Sequence, residues 1–100
     1  LSYEYIRESI QMASFIQDGY VKDLGSSVTS SRNRGIKKAR FFVLEETFMP
    51  AILTEIGFIT HREEEKLLRR EEHQKKIAES LADSVVEFIS WYEANNGFIQ

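Results

Sequence analysis

The sequence predicts an α/β chain whose elements run helix, strand, strand, helix, helix. Apolar residues recur at three- and four-residue steps over one stretch near 3–24 and another after residue 60, the periodicity of amphipathic helices. Two short β-favouring runs lie between them, near 40–44 and 51–56, and a polar Gly-Ser-Thr stretch and the one proline set them off.

In the first helix Ile6, Ile10, Ala13, Ile16, Tyr20 and Leu24 follow at steps of four, three, three, four and four, which makes one apolar stripe. Residues 25–31 are Gly, Ser, Val and Thr, types whose side chains compete for their own backbone, so a loop is expected there. Arg40-Phe41-Phe42-Val43-Leu44 reads as the first strand. After Pro50, Ala51-Ile52-Leu53-Thr54-Glu55-Ile56 reads as the second, and the short connection between them requires an antiparallel pairing if they are neighbours. The second run is apolar on both faces, which predicts cover on both faces and a place in a larger sheet. Thr60 and Glu63 stand at capping-box spacing, so a helix is expected over 61–69. The charged stretch Arg69-Arg70-Glu71-Glu72 has no apolar anchor and predicts a break. A last helix over 72–94 carries the stripe Ile77, Leu81, Val85, Phe88, Ile89 and Tyr92, with Gly97 as its stop.

One hundred residues fit a single domain. With 42% hydrophobic residues, five glycines and no cysteine, the chain is neither collagen-like, disulfide-stapled nor disordered. Thirteen basic against 16 acidic residues leave a net charge of −3, which predicts no nucleic-acid partner, and no apolar run is long enough to span a membrane. The chain begins at Leu1, which reads as a mature form or a piece of a longer protein.

Glu55 is the strongest candidate for chemistry. A carboxylate among Ile52, Leu53 and Ile56 is costly to ionise unless partnered, and burial at a sheet end would push its pKa upward toward general acid or base work. The alternative is a strand-end residue that reaches water or an arginine. His61 and His73 are twelve residues apart, too far for two ligands on one helix face, and read as a helix-start and a surface histidine. Arg32, Arg34, Lys37, Lys38 and Arg40 form a solvated approach to the first strand, and Glu65 with Arg69 marks a solvated helical face. Phe41, Phe42, Phe48, Phe58, Phe88 and Trp91 read as core. No phosphate loop, serine elbow or HExxH is present.

The runs Arg34-Gly35-Ile36-Lys37-Lys38-Ala39-Arg40-Phe41-Phe42-Val43-Leu44 and Met49-Pro50-Ala51-Ile52-Leu53-Thr54-Glu55-Ile56-Gly57-Phe58-Ile59 resemble the C-terminal half of the zinc-dependent N-acetylmuramoyl-L-alanine amidases. That family carries RGVKxAxFxVL followed by PxVLVExGFxSN. Ser9, Met12-Ala13 and Ile16-Gln17 resemble its preceding helix, and Glu64-Glu65 to Leu68 with Ile77-Ala78 resemble its closing helices. Departures are Thr54 for valine, Glu45 near a common arginine, and Thr60-His61 for serine-asparagine.

The resemblance implies an α/β fold with a partial mixed sheet, in residues 1–100 as the C-terminal portion of one catalytic domain whose N-terminal half is absent. It implies hydrolysis of the amide between the lactyl group of N-acetylmuramic acid and L-alanine in peptidoglycan, in the periplasm or outside the cell. Glu55 matches the family's catalytic glutamate. Zinc would be held in the complete enzyme by two histidines and a glutamate of the missing half, none by this chain, which alone is expected to be inactive. Expected partners are peptidoglycan, the missing half and, through uncovered apolar surface, further copies of the chain. The competing expectation is a non-catalytic structural or protein-interaction module with Glu55 as a satisfied buried carboxylate.

Overall fold

A computed structural model describes residues 5–25, 36, 44, 47–57 and 60–95. Among them the chain forms three helices: α1 (Ile6–Leu24), α2 (Arg62–Leu68) and α3 (Glu71–Ala94). None of these helices is long and apolar enough to cross a membrane.

The two long helices lie side by side and antiparallel, since Phe15 meets Phe88 and Trp91 while Gly19, further along α1, meets Ser84 and Ser80, earlier in α3. Ile16 and Leu24 of α1 and Ile77, Phe88 and Tyr92 of α3 are the buried apolar residues. Phe15, Phe88, Trp91 and Tyr92 form an aromatic cluster with ring centroids 5.4 to 6.4 Å apart, mostly edge-on or tilted, the arrangement ring quadrupoles favour.

The buried face of α3 runs through His73, Ile77, Ser80, Ser84, Phe88 and Tyr92. It is rotated from the expected apolar stripe: Leu81 and Val85 are half-buried and Ile89 is exposed. The cause is the close approach at Gly19, where the absent side chain lets α1 sit directly over Ser80 and Ser84. Small residues set the contact face, and the larger apolar ones fall to its side.

The break between α2 and α3 stands where the charged stretch predicted it. Arg69 closes α2, Arg70 precedes α3, and the Gln74 side chain donates to the Leu68 carbonyl at 2.7 Å across the joint. Arg69 and Glu65 pair on the surface as the spacing predicted. The start of α2 is capped one residue later than expected: His61 Nδ1, not Thr60, accepts the Glu64 amide at 3.3 Å. At the far end α3 stops at Ala94, where the Asn95 side chain donates to the Trp91 carbonyl at 2.8 Å.

The sheet expectation is corrected. Among the described residues there is no strand, hence no mixed sheet. Residues 40–43 of the first expected strand lie outside the described residues, and Leu44 has helical backbone, its carbonyl accepting the Thr47 hydroxyl at 2.9 Å. Residues 51–56 are neither helical nor laddered. A strand needs a neighbouring strand for its amides and carbonyls, and here α1 side chains take those roles at both ends of the segment: the Ala51 amide donates to Ser9 Oγ at 2.9 Å, and the Ile56 carbonyl accepts from Tyr20 Oη at 3.4 Å. Cover on both faces is also absent, because Leu53 and Ile56 are exposed. Phe48, expected in the core, is 72% exposed.

Candidate active site

Glu55 sits one residue before the point where Tyr20 holds the segment, and its side chain is exposed. The burial expected among its apolar neighbours is therefore not present, and neither is the buried carboxylate of the competing module. What the fold supplies to Glu55 is placement. Ser9 and Tyr20 are eleven residues apart on α1, a rise of about 16 Å at 1.5 Å per residue. Ala51 and Ile56 are five residues apart, and an extended backbone at ~3.3 Å per residue covers the same distance. The segment thus runs alongside α1, in the same direction, drawn out between two anchors.

Two residues beyond Glu55 stands Gly57, whose φ of +155° favours glycine. A Cβ there would stand 3.4 Å from Glu64 Oε1 and from a Leu68 methyl, so α2 closes on the end of the segment. Tyr20, Ile56, Glu64, Leu67, Leu68 and His73 line the small depression at this junction. Burial, and next the Glu64 carboxylate, push the Tyr20 pKa up, which keeps its hydroxyl a proton donor through neutral pH. Glu64 is largely buried, with Oε2 3.3 Å from His61 Nδ1. That nitrogen accepts the Glu64 amide, and Glu64 Oε2 has no hydrogen-bond partner among the described residues.

His61 is the helix-start residue that the sequence suggested. His73 is not a surface histidine: it is buried on α3, and burial first, then Lys76 and Arg70, lower its pKa. Among the described residues no three His, Cys, Asp or Glu side chains stand together as a metal site. The basic residues Arg32, Arg34, Lys37, Lys38 and Arg40 lie outside the described residues. An open depression of about 290 Å³ between α1 and α3, lined by Asp18, Lys22, Asp83 and Glu87 among others, shares no residue with the segment that carries Glu55.

Comparison with known proteins gives this arrangement its context. The N-acetylmuramoyl-L-alanine amidase family matches residues 1–87, which includes α1, the 51–57 segment, α2 and most of α3. The chain belongs to that family. An uncharacterised cell wall amidase of Bacillus anthracis is 30% identical over 90 residues, covering 90% of this chain and 16% of the relative. The N-acetylmuramoyl-L-alanine amidase AmiA of Escherichia coli is 36% identical over 61 residues, 61% of this chain and 21% of the relative. LytC of Bacillus subtilis, another N-acetylmuramoyl-L-alanine amidase, is 31% identical over 80 residues, 80% of this chain and 15% of the relative. The chain therefore spans about a sixth to a fifth of the length of these amidases. No solved structure matches it.

Sequence reasoning singled out Glu55 and did not single out Ser9 or Tyr20, the two side chains that hold its segment. Ser9 is too polar to join the apolar stripe of α1, and Tyr20 was counted in that stripe for its ring while its hydroxyl does the anchoring. The signal in the sequence that could have pointed to Ser9 is its place among the residues that resemble the family's preceding helix.

Proposed function

We propose that these residues are the C-terminal portion of the catalytic domain of a peptidoglycan hydrolase, with Glu55 as its general acid and base. The bond cleaved is the amide between the lactyl group of N-acetylmuramic acid and L-alanine. The observation that carries the reading is the position of Glu55: in a chain of this family, it is an exposed carboxylate on a segment pinned at both ends. Exposure leaves its oxygens open to a substrate, and the anchors fix where they stand.

In this role the carboxylate takes a proton from the attacking water and returns one to the departing alanine nitrogen. The water oxygen bonds to the lactyl carbonyl carbon as the carbon–nitrogen bond breaks. Such groups typically contribute about 10² to 10⁴ in rate. The described residues do not make a zinc site by themselves. On this proposal zinc and its ligands belong to the half of the domain outside this chain, and residues 1–100 alone are inactive. The enzyme works in the periplasm or outside the cell, where its substrate lies.

Glu55→Gln in the whole enzyme tests the reading, because it keeps size and polarity and removes the base. Turnover must fall while the fold and bound zinc are retained.

A further inference from the structure

The catalytic reading gives α1 no reacting group and leaves open why this helix should be tied to the Glu55 segment by two polar side chains. An apolar segment such as Ala51-Ile52-Leu53 could pack on a helix through its side chains alone. Instead the Ser9 hydroxyl accepts the Ala51 amide at 2.9 Å at one end, and at the other the Tyr20 hydroxyl makes a longer, solvent-exposed contact to the Ile56 carbonyl at 3.4 Å, which makes Ser9 the tighter of the two anchors. Packing against a smooth apolar face is non-directional and would tolerate a slip along the helix axis. Hydrogen bonds to fixed backbone atoms do not, because they lose their geometry within a fraction of an ångström.

We propose that Ser9 and Tyr20 act as positioning residues for Glu55, a two-point clamp on α1 that sets the register of the segment along the helix and thereby the place of the carboxylate. The match between the rise from Ser9 to Tyr20 and the span from Ala51 to Ile56 means that the segment has little slack. A shift of Glu55 along the helix would require one anchor to release. Gly57, next along the chain, packs against Glu64 and Leu68 of α2. Burial holds the Tyr20 pKa above the ordinary value of 10.0, so its hydroxyl keeps the donated proton at neutral pH. The inference rests on the catalytic reading of Glu55.

The test uses the whole enzyme, with turnover, KM on peptidoglycan and thermal melting measured for each variant. Ser9→Ala removes one anchor and Tyr20→Phe the other, with the ring retained. Each is expected to lower kcat about tenfold and the pair on the order of 10²-fold, since small misplacements of a reacting group cost that much. KM should stay within about twofold, because the lost interaction serves the transition state rather than binding. Ser9→Thr keeps an acceptor oxygen and should restore turnover. The decisive arm repeats Ser9→Ala and Tyr20→Phe in a Glu55→Gln background, where the clamp has no base left to place and should have no further effect on kcat.

Unchanged kcat in both single variants overturns the clamp, and so does a loss that multiplies undiminished in the Glu55→Gln background. Should Ser9→Ala unfold the protein, Tyr20→Phe, which deletes one oxygen, still decides the question. Near-normal turnover of Glu55→Gln alone would remove the catalytic reading and the clamp with it. A fall in Glu55→Gln without any effect of the anchors removes only the clamp.

Discussion

Gly19 of α1 lies directly over Ser84 of α3, so close that a Cβ on the glycine would overlap the serine hydroxyl. This contact fixes which face α3 presents to α1, and it makes a simple substitution informative. Alanine ordinarily stabilises a helix interior over glycine by up to about 1 kcal/mol. Here Gly19→Ala should destabilise instead, by roughly 1 to 3 kcal/mol of overpacking. Adding Ser84→Ala, which removes the overlapping oxygen, should recover much of the melting temperature. A neutral or stabilising Gly19→Ala would mean that the Ser84 hydroxyl rotates away at little cost and that the glycine is not required for the close approach.

His73 gives the fold a pH dependence whose sign follows from its environment. Its folded pKa lies below the ordinary value of 6.5, because burial and the nearby Lys76 and Arg70 disfavour the charged ring. The unfolded chain therefore binds the proton more readily, and stability is complete above about pH 6.5 and is lost as pH falls through the lower folded value. His73→Gln should flatten this part of the profile. Melting curves at pH 7.5 and 5 for both proteins check it, and an equal drop in each would remove His73 as the cause.

The cap at His61 predicts a contrast between two replacements. Ala has no acceptor for the Glu64 amide and should cost about 0.5 to 2 kcal/mol, whereas Asn retains one and should cost little. Denaturant midpoints decide it. Equal losses in His61→Ala and His61→Asn would show that the ring nitrogen contributes nothing as a cap.

Residues 1–100 alone should self-associate. Phe48, Met49, Leu53 and Ile56 are exposed close together in sequence, beside a backbone segment that no strand covers among the described residues, and Val86 is 62% exposed on α3. Light scattering should find species larger than a monomer, and a hydrophobic dye should bind. A monodisperse monomer that leaves the dye unbound would contradict this.

The helices were legible because their signal is local. The stripe near 3–24 became α1, and the break expected around residues 69–72 became the joint at Arg69 and Arg70, since a charged run offers no apolar anchor to either helix. The sheet was not legible for the opposite reason. A short run apolar on both faces indicates a drawn-out segment at 51–56, but whether its backbone meets another strand or the hydroxyls of Ser9 and Tyr20 is decided by residues more than thirty positions away. Hydrophobicity likewise misplaced the face of α3, because Ser80 and Ser84 are buried for their small size. At the candidate site the sequence pointed to Glu55 through its odd placement among apolar neighbours, yet the carboxylate is exposed, and the neighbours that made it look buried, Leu53 and Ile56, are themselves exposed.

The central claim is that Glu55 transfers the protons of amide hydrolysis, and turnover of Glu55→Gln in the whole enzyme tests it most directly. A fall of about 10² to 10⁴ in kcat is expected, with the melting temperature nearly unchanged and zinc retained. Near-normal turnover, or a loss that appears only because the variant unfolds, would contradict the claim and leave Glu55 an exposed carboxylate with no part in the chemistry.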